Sequence, residues 1–232
     1  MKNSTIVWAA IAALTLSSCA QEAATKTGEL NRSAFEAWVS LNKESSWTET
    51  ELGSWIISLT PGDVKNKPLA SVEDNPYLRL EYTVTSLDGT VEETTSEAVS
   101  KRIGKYDKRN YYGPMFSYRA YNSTYAGIEE FLTQMGVGGK CRAVVPSWLL
   151  TTSRYDTKEQ YINAMSTSTA AKIYDFTVVE SVKSTEDWEM ALLKKTMGKE
   201  WDKADSLTTG VYYVRDKASD KPDTTFSASA ES

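Results

Sequence analysis

The residues of this chain that could do chemistry are mainly carboxylates, hydroxyls and aromatic rings, because the 232-residue sequence contains no histidine. Catalysis by Ser-His-Asp or Cys-His arrangements, histidine-ligated metals and histidine pH switches are therefore excluded. Two cysteines, Cys19 and Cys141, are too few for a thiolate zinc site or a disulfide framework. A net charge of −5 gives no reason to expect nucleic acid, whose binding surfaces are usually basic.

One stretch resembles a phosphate-binding loop in composition, since residues 127–140 read GIEEFLTQMGVGGK and end in three glycines and a lysine. Its apolar residues recur at helical spacing, and an alternating strand follows at 141–145. A phosphate loop needs the reverse order, a strand, then glycines, then a helix whose N-terminus faces the anion. The sequence therefore indicates no nucleotide site. We interpret Gly136 as the C-terminal cap of the helix and residues 138–139 as a turn.

The elements that would position functional residues follow from hydrophobic periodicity. An N-terminal helical segment is expected within 33–52, where Phe35, Trp38 and Val39 share one helical face. Asp88-Gly89 is a strong hairpin signal. Alternating apolar residues predict strands at 53–59, 77–84, 90–95, 141–145 and 171–179.

The N-terminus has the pattern of a secretory signal. A lysine precedes the apolar run 6–14, which is too short to span a bilayer. Small residues then lead to Cys19, as in bacterial lipoproteins, so we predict a signal peptide at 1–19 with a lipid on Cys19. Residues 20–32 are polar and predict a tether. The alternative is an ordinary signal peptide in which Cys19 is incidental.

Tyrosines are interleaved with lysines and arginines between residues 101 and 125. Such a pattern can stack on single-stranded nucleic acid, but an exported lipoprotein rarely meets any. Two interpretations remain open: an insertion that packs on its own domain, or an aromatic surface for unfolded or peptide ligands.

The C-terminal part, 184–232, begins with a second helical pattern, in which Met190, Leu193 and Met197 form one stripe. A strand pattern follows at 210–214. This order repeats that of the N-terminal segment, so we predict the start of a second, incomplete module.

Three stretches carry a family resemblance: EYTVTSLDGTVEETT, GIEEFLTQMGVGGKCRAVVPSWL and AKIYDFTVV. They resemble, in turn, the first hairpin, the helix-turn-strand unit and the closing strand of the FKBP family of peptidyl-prolyl isomerases. The resemblance covers residues 53–183, and a segment at about 105–124 exceeds the family's usual length. It implies an α+β fold in which a strongly bent antiparallel sheet wraps around one short helix, with an aromatic pocket between them.

The activity that this resemblance implies is cis–trans rotation about Xaa-Pro peptide bonds, which needs no nucleophile, metal or cofactor. The implied partners are proline-containing unfolded or exported polypeptides in the cell envelope, where the lipid anchor would hold the protein on a membrane. No cofactor, nucleotide or nucleic acid is expected.

Position by position, the resemblance also implies the catalytic residues. Tyr82 and Tyr174 correspond to pocket tyrosines, and Glu93 takes the place of an aspartate. Ile128 stands at the pocket floor, where the family places a tryptophan.

The expected substrate-binding residues are Val99, Tyr125, Trp148 and Thr151. Val99 falls where the family has an aromatic wall, Thr151 replaces a tyrosine, and Trp148 or Tyr155 is a candidate to compensate. Glu92, Ile128 and Thr151 are smaller or more polar than the family pocket prefers. The alternative function is therefore a non-catalytic peptide-binding chaperone or assembly lipoprotein with a degenerate pocket.

Replacing Cys19 with alanine is expected to release the protein from membranes, because the acyl chains on that residue would supply the anchor, at about 0.8 kcal/mol for each buried methylene. Separation of cells into membrane and soluble fractions measures the release, with Cys141→Ala as the matched control. Unchanged membrane retention of the Cys19→Ala protein would contradict lipidation at this residue.

Overall fold

The computed structural model describes residues 28–165, 169–206 and 211–214. The chain divides into two compact units between Lys183 and Ser184, and each unit is considered by itself. Cys19, the signal peptide and the first part of the tether lie outside the described residues. None of the helices in these ranges combines the length and apolar character needed to cross a bilayer.

The first unit contains short helices and a larger number of strands. Its helices are α1 (28–42), α2 (Glu97–Arg102), α3 (Ala126–Leu132) and α4 (Lys158–Ala164). Its strands are β1 (Thr48–Glu49), β2 (Trp55–Thr60), β3 (Asp63–Pro68), β4 (Tyr77–Ser86), β5 (Val91–Thr94), β6 (Met115–Tyr118), β7 (Gly136–Val137), β8 (Lys140–Val145) and β9 (Lys172–Val182).

The main sheet has the order β1-β2-β8-β9-β4-β5, and β6 pairs with β4 on the same edge as β5. All of these pairings are antiparallel. The longest pairing joins β4 to β9, from Tyr77 opposite Val182 to Ser86 opposite Lys172. β3 and β7 form a separate small sheet. The α+β class and the antiparallel sheet expected from the sequence are confirmed.

The core lies between the sheet and α3, as the periodicity of both elements requires. On β4, Leu78, Leu80 and Val84 alternate with more exposed residues and are buried. On α3, Phe131 is fully buried, and its ring centroid lies 6.4 Å from that of Phe176 on β9. Burial of each such side chain contributes about 1.5–3 kcal/mol, so this interface is a main source of stability.

Gly127 sets the distance between α3 and β8. A Cβ atom at this position would lie 2.5 Å from Val145 Cγ1 and 3.1 Å from Leu149 Cβ. Atoms of a close-packed interior cannot approach so closely, so only glycine permits this helix-sheet contact.

Glu130 connects the other side of α3 to the turn between β1 and β2. Its carboxylate accepts hydrogen bonds from Thr50 Oγ1 at 3.0 Å, Ser54 Oγ at 3.2 Å and the Leu52 N–H at 3.2 Å. Burial is the main cause that raises the pKa of Glu130 above its usual value. The carboxyl group therefore serves to hold this turn against the helix.

Helix α1 packs on the same core and contacts the β4–β5 hairpin. Phe35 and Val39 are buried, and Trp38 Nε1 donates a 2.9 Å hydrogen bond to the carbonyl of Leu87. The helix expected from these three residues is therefore present, and it extends back to residue 28.

Gly136 was expected to cap the helix, and this expectation is wrong. Helix α3 ends at Leu132 with Thr133 as its C-cap, and Gly136 begins β7 instead. A Cβ atom on Gly136 would lie 2.3 Å from the carbonyl carbon of Asp63, so the close approach of β3 and β7 requires glycine there. The turn expected at 138–139 is present, with Gly138 at a φ of 82°.

The segment expected as an insertion at 105–124 is partly built into the sheet. Within it, β6 pairs with β4, placing Tyr77 opposite Tyr118 and Leu80 opposite Met115. Residues 105–114 belong to the connection from α2 to β6, and residues 119–124 to the connection from β6 to α3.

The second unit begins with α5 (Thr185–Met197), which Ser184 caps by accepting a hydrogen bond from the Asp187 N–H. The antiparallel pair β10 (Asp205–Ser206) and β11 (Tyr212–Tyr213) follows, and the rings of Trp201 and Tyr212 lie 5.0 Å apart. The order of a helix and an antiparallel strand pair repeats that of α1, β1 and β2. The further module predicted from 184–232 remains a prediction.

Replacing Gly127 with alanine is expected to lower the free energy of unfolding by about 1–3 kcal/mol, because the added methyl group overpacks the contact with β8. In an unconstrained helix the same change would stabilise the protein by about 1 kcal/mol. Gly28→Ala in α1 is the matched control, since its Cβ would meet only the flexible end of Met165, at 3.0 Å. Urea denaturation of both variants measures the difference. Equal stability of the two variants would show that Gly127 does not set the spacing.

Candidate functional site

An apolar groove of about 300 Å³ lies beside the first turn of α3, where β4, β5, β6 and β9 contribute side chains. Its walls are mostly aromatic and aliphatic, with a few hydroxyls and one carboxylate. The lining residues are Leu80, Tyr82, Val84, Glu93, Met115, Phe116, Ser117, Ser123, Thr124, Tyr125, Ile128, Tyr174 and Phe176.

The structure brings all four expected catalytic residues to this groove. Tyr82 on β4, Glu93 on β5, Ile128 on α3 and Tyr174 on β9 line it together, and the expected substrate-binding residue Tyr125 joins them. Ile128 is 7% exposed, so its side chain forms a buried part of the wall. The placement of these residues is therefore as the sequence suggested, while their roles remain predictions.

Trp148 is not part of the groove. It is 3% exposed, its indole packs edge-on against Phe35 with centroids 5.3 Å apart, and its Nε1 donates to the carbonyl of Leu52 at 2.9 Å. The structure therefore places Trp148 in the core, where its ring packs against α1, and not with the other expected site residues.

Val99 and Thr151 also lie outside the groove lining, contrary to the expectation from the sequence. Val99 is half-buried in α2, within the connection between β5 and β6. Thr151 supports the site indirectly, because its carbonyl accepts a 2.8 Å hydrogen bond from the N–H of Ala126, the first residue of α3. Tyr155, a possible substitute, packs edge-on against Tyr161 instead, with centroids 5.0 Å apart.

The sequence analysis missed several groove residues. Phe176 follows Tyr174 by two positions on β9, so strand alternation alone places both on one face. Met115 and Phe116 belong to β6, whose four residues carry too short a pattern to identify a strand. Strand alternation could have predicted Phe176, but it could not have predicted Met115 or Phe116.

Two of the groove tyrosines, Tyr82 and Tyr174, carry neutral hydroxyl groups at neutral pH. Burial is the main cause that raises the pKa of Tyr82, and the charge of Glu93 adds to it. Burial likewise raises the pKa of Tyr174, with smaller contributions from Tyr125 and Glu93. Each hydroxyl can therefore donate a hydrogen bond to a carbonyl group that enters the groove.

The backbone of Tyr82 is fixed by Thr95 at the end of β5. The Tyr82 N–H donates to Thr95 Oγ1 at 2.9 Å, and the Thr95 N–H donates to the Tyr82 carbonyl at 2.9 Å. Thr95 is 6% exposed, so these bonds are shielded from water. They hold the tyrosine on a rigid strand rather than on a loop.

The wall between β6 and α3 is held by a buried arginine. The Arg119 side chain is fully buried and forms an ion pair with Glu129 of α3, through both Nε and Nη2. Its Nη1 donates a 2.8 Å hydrogen bond to the carbonyl of Leu69. The guanidinium group thus joins the end of β6, the Leu69 segment and the helix that carries Ile128.

Two further hydrogen bonds fix the residues of this wall. Thr124 Oγ1 donates to the Tyr118 carbonyl at 3.1 Å, and Arg154 Nη2 donates to the Thr124 carbonyl at 2.6 Å. Tyr121 and Asn122 between them adopt left-handed backbone conformations, each with a φ of 54°. Non-glycine residues adopt this conformation only where surrounding contacts maintain it, which indicates a defined turn.

A larger depression of about 570 Å³ lies on the opposite face of the sheet. Strand alternation directs Glu81 and Thr83 of β4 toward it, away from the face that carries the Tyr82 ring. Its lining is mainly hydroxyl and charged side chains, and Arg142 faces Asp175 across 3.5 Å. Tyr82 and Phe176 border it too, but most of its lining is polar, whereas the smaller groove is mostly apolar, and we therefore take the smaller groove as the candidate site.

The groove is suited to non-covalent binding of an apolar segment. Cys141, the thiol in the described part of the chain, is buried, and burial raises its pKa to about 12, so it remains a protonated thiol. The groove itself offers neutral hydroxyls, apolar walls and one carboxylate. Such a set can exclude water from a peptide bond and donate hydrogen bonds to it.

No protein-family model matches this sequence, and no curated protein shows significant sequence similarity to it. Solved structures show a likeness of fold. The chain is similar to FkpA from Escherichia coli, with a TM-score of 0.46, 14% identity, and coverage of 79% of this chain and 75% of that chain.

Two further solved structures are similar over a smaller part of this chain. A peptidyl-prolyl cis-trans isomerase from Pseudomonas syringae gives a TM-score of 0.41 at 18% identity, covering 70% of this chain and 96% of that one. The structure of AtFKBP13 gives a TM-score of 0.38 at 12% identity, covering 59% of this chain and 99% of that one. All three TM-scores are below 0.5, so the proposed function rests on the residues of the groove.

Removing the Arg119 charge is expected to destabilise the first unit strongly, because Glu129 would keep a half-buried charge without its partner. We expect Arg119→Met to lower the free energy of unfolding by about 3–5 kcal/mol, and Arg119→Met/Glu129→Leu to recover much of that loss. Urea denaturation of the single and double variants measures both values.

The control for this prediction is Arg109→Met, in the connection between α2 and β6. Arg109 pairs with Asp107 at 2.6 Å but its side chain is 83% exposed, so its loss should change stability far less than the loss of Arg119. A small effect of Arg119→Met, comparable to that of the control, would show that the buried pair does not hold the wall.

Proposed function

We propose that this protein is a peptidyl-prolyl cis–trans isomerase of the FKBP type that assists the folding of exported polypeptides in the cell envelope. The observation that carries the proposal is the meeting of Tyr82, Tyr174, Phe176 and Ile128 in one apolar groove. Tyr82, Tyr174 and Ile128 are also residues to which the sequence resemblance assigns catalytic roles.

The proposed reaction is rotation about the Xaa-Pro peptide bond, whose barrier is about 18–20 kcal/mol. Planarity gives the amide its charge-separated resonance form, so the twisted amide is less polar than the planar one. A dry, apolar wall such as Ile128 and Phe176 therefore favours the twisted state. The neutral hydroxyls of Tyr82 and Tyr174 can orient the substrate carbonyl by donating to it.

A use for such an activity follows from the rate of the uncatalysed reaction. Prolyl isomerisation takes tens to hundreds of seconds and can limit folding. A lipid on Cys19 would keep the isomerase at the membrane through which its proline-containing clients emerge. This location rests on the N-terminal sequence pattern alone.

A second candidate function is a peptide-binding chaperone without catalysis. The exposed apolar residues at the rim favour it, since Met115, Phe116 and Tyr125 are each at least 40% exposed. This surface extends beyond what one proline ring would cover, and Ile128 offers a smaller floor than an indole ring. Contiguous exposed apolar surface of this kind is typical of interaction sites.

The isomerase proposal is tested with a protease-coupled assay on an Ala-Leu-Pro-Phe peptide. We expect catalysis above background, and a fall in kcat/KM of about tenfold, equivalent to about 1.4 kcal/mol, for Tyr82→Phe and for Tyr174→Phe. Tyr111→Phe is the control, because Tyr111 is 62% exposed and does not line the groove.

A wild-type rate equal to the uncatalysed background would overturn the isomerase proposal. Suppression of aggregation of an unfolded protein is then measured on the same sample. Its presence would favour the chaperone, and its loss on Met115→Ser/Phe116→Ser would assign it to the rim of the groove.

A further inference from the structure

The groove carries a single charged side chain within the described part of the chain, and it is acidic. Glu93 lies on β5 and lines the groove together with Tyr82 and Tyr174, and its side chain is exposed. The other lining residues are apolar, aromatic or hydroxyl-bearing. A carboxylate next to apolar walls makes the electrostatic potential around it negative.

The Glu93 carboxylate is not neutralised by the protein. In the described ranges it makes no ion pair and accepts no hydrogen bond. Its neighbour Glu92, which does not line the groove, differs in this respect. Glu92 pairs with Lys172 and accepts a hydrogen bond from Ser86 Oγ.

The exposed position of Glu93 also lowers the desolvation cost of an ion pair with a ligand. Because the side chain is exposed, it keeps water contact in the free protein and loses little hydration when a cation approaches. Lysine and arginine carry long aliphatic stems, which can lie along apolar walls while the charged end reaches the carboxylate. Met115, which is partly exposed at the rim, offers such a wall.

We propose that the groove selects polypeptide segments in which a lysine or arginine stands next to the proline. The proposal rests on the proposed function, since it specifies the substrate of the same site. An apolar residue next to the substrate proline would gain only contact with the groove walls, and a glutamate there would be repelled by Glu93.

The test compares the full chain with three peptides that differ only in the residue before proline: lysine, norleucine or glutamate. Norleucine keeps the aliphatic stem of lysine and lacks its charge. Equilibrium binding is measured by isothermal titration calorimetry, and kcat/KM in the protease-coupled assay. We expect the lysine peptide to be favoured over norleucine by about fivefold, the upper range for an exposed ion pair, and the glutamate peptide to be the weakest.

Salt and substitution assign the preference to Glu93. The lysine advantage should disappear in about 1 M salt, where the screening length falls to about 3 Å. It should also disappear in Glu93→Gln and persist in the matched control Glu92→Gln. Glu93→Lys should reverse the order and favour the glutamate peptide.

The outcomes separate this proposal from the isomerase proposal. Preferential binding of the lysine peptide without catalysis would support the cation preference and overturn the isomerase. Catalysis with equal values for lysine and norleucine would overturn the cation preference alone. A lysine advantage that persists in Glu93→Gln would also overturn it, because another group would then supply the preference. No binding of any peptide would overturn both.

Discussion

One turn of α3, residues 127–130, joins four parts of the fold. Successive helical side chains point about 100° apart, so each of these residues faces a different neighbour. Gly127 lets the helix touch β8, Ile128 lines the groove, Glu129 binds the buried Arg119, and Glu130 holds the turn between β1 and β2. The contact between α3 and β8 is too close for a Cβ atom at residue 127. The position of this turn, and with it the geometry of the groove, therefore depends on glycine there.

Carboxylates of one chemical type take different roles in this protein because their surroundings differ. Glu130 is surrounded by neutral donors, Glu129 faces a buried guanidinium, and Glu92 is paired near the surface. Their partners are supplied by the fold, so they serve structure. Glu93 alone among these four faces the groove without such a partner, which leaves its charge available to a ligand.

Helices and strands could be predicted from the sequence where their own residues carry a periodic hydrophobic pattern. The long strands β4 and β9 and the apolar face of α3 were found from their own patterns, while the family resemblance pointed to Tyr82 and Tyr174. β6 and β7 are short and exist because distant strands pair with them. Trp148 was misassigned because Phe35, its partner in the core, lies far earlier in the chain. Such long-range contacts leave no local signal.

The sharing of one edge of β4 between β5 and β6 has a consequence for how this protein can change over evolution. The chain leaves the sheet after Thr94 and returns to the same edge at Met115. The entropy of closing a loop grows only with the logarithm of its length, so residues can be added or lost there at little cost to the sheet. Because the loop returns directly into the wall of the groove, variation in its length is a way to acquire new recognition surface beside a conserved scaffold.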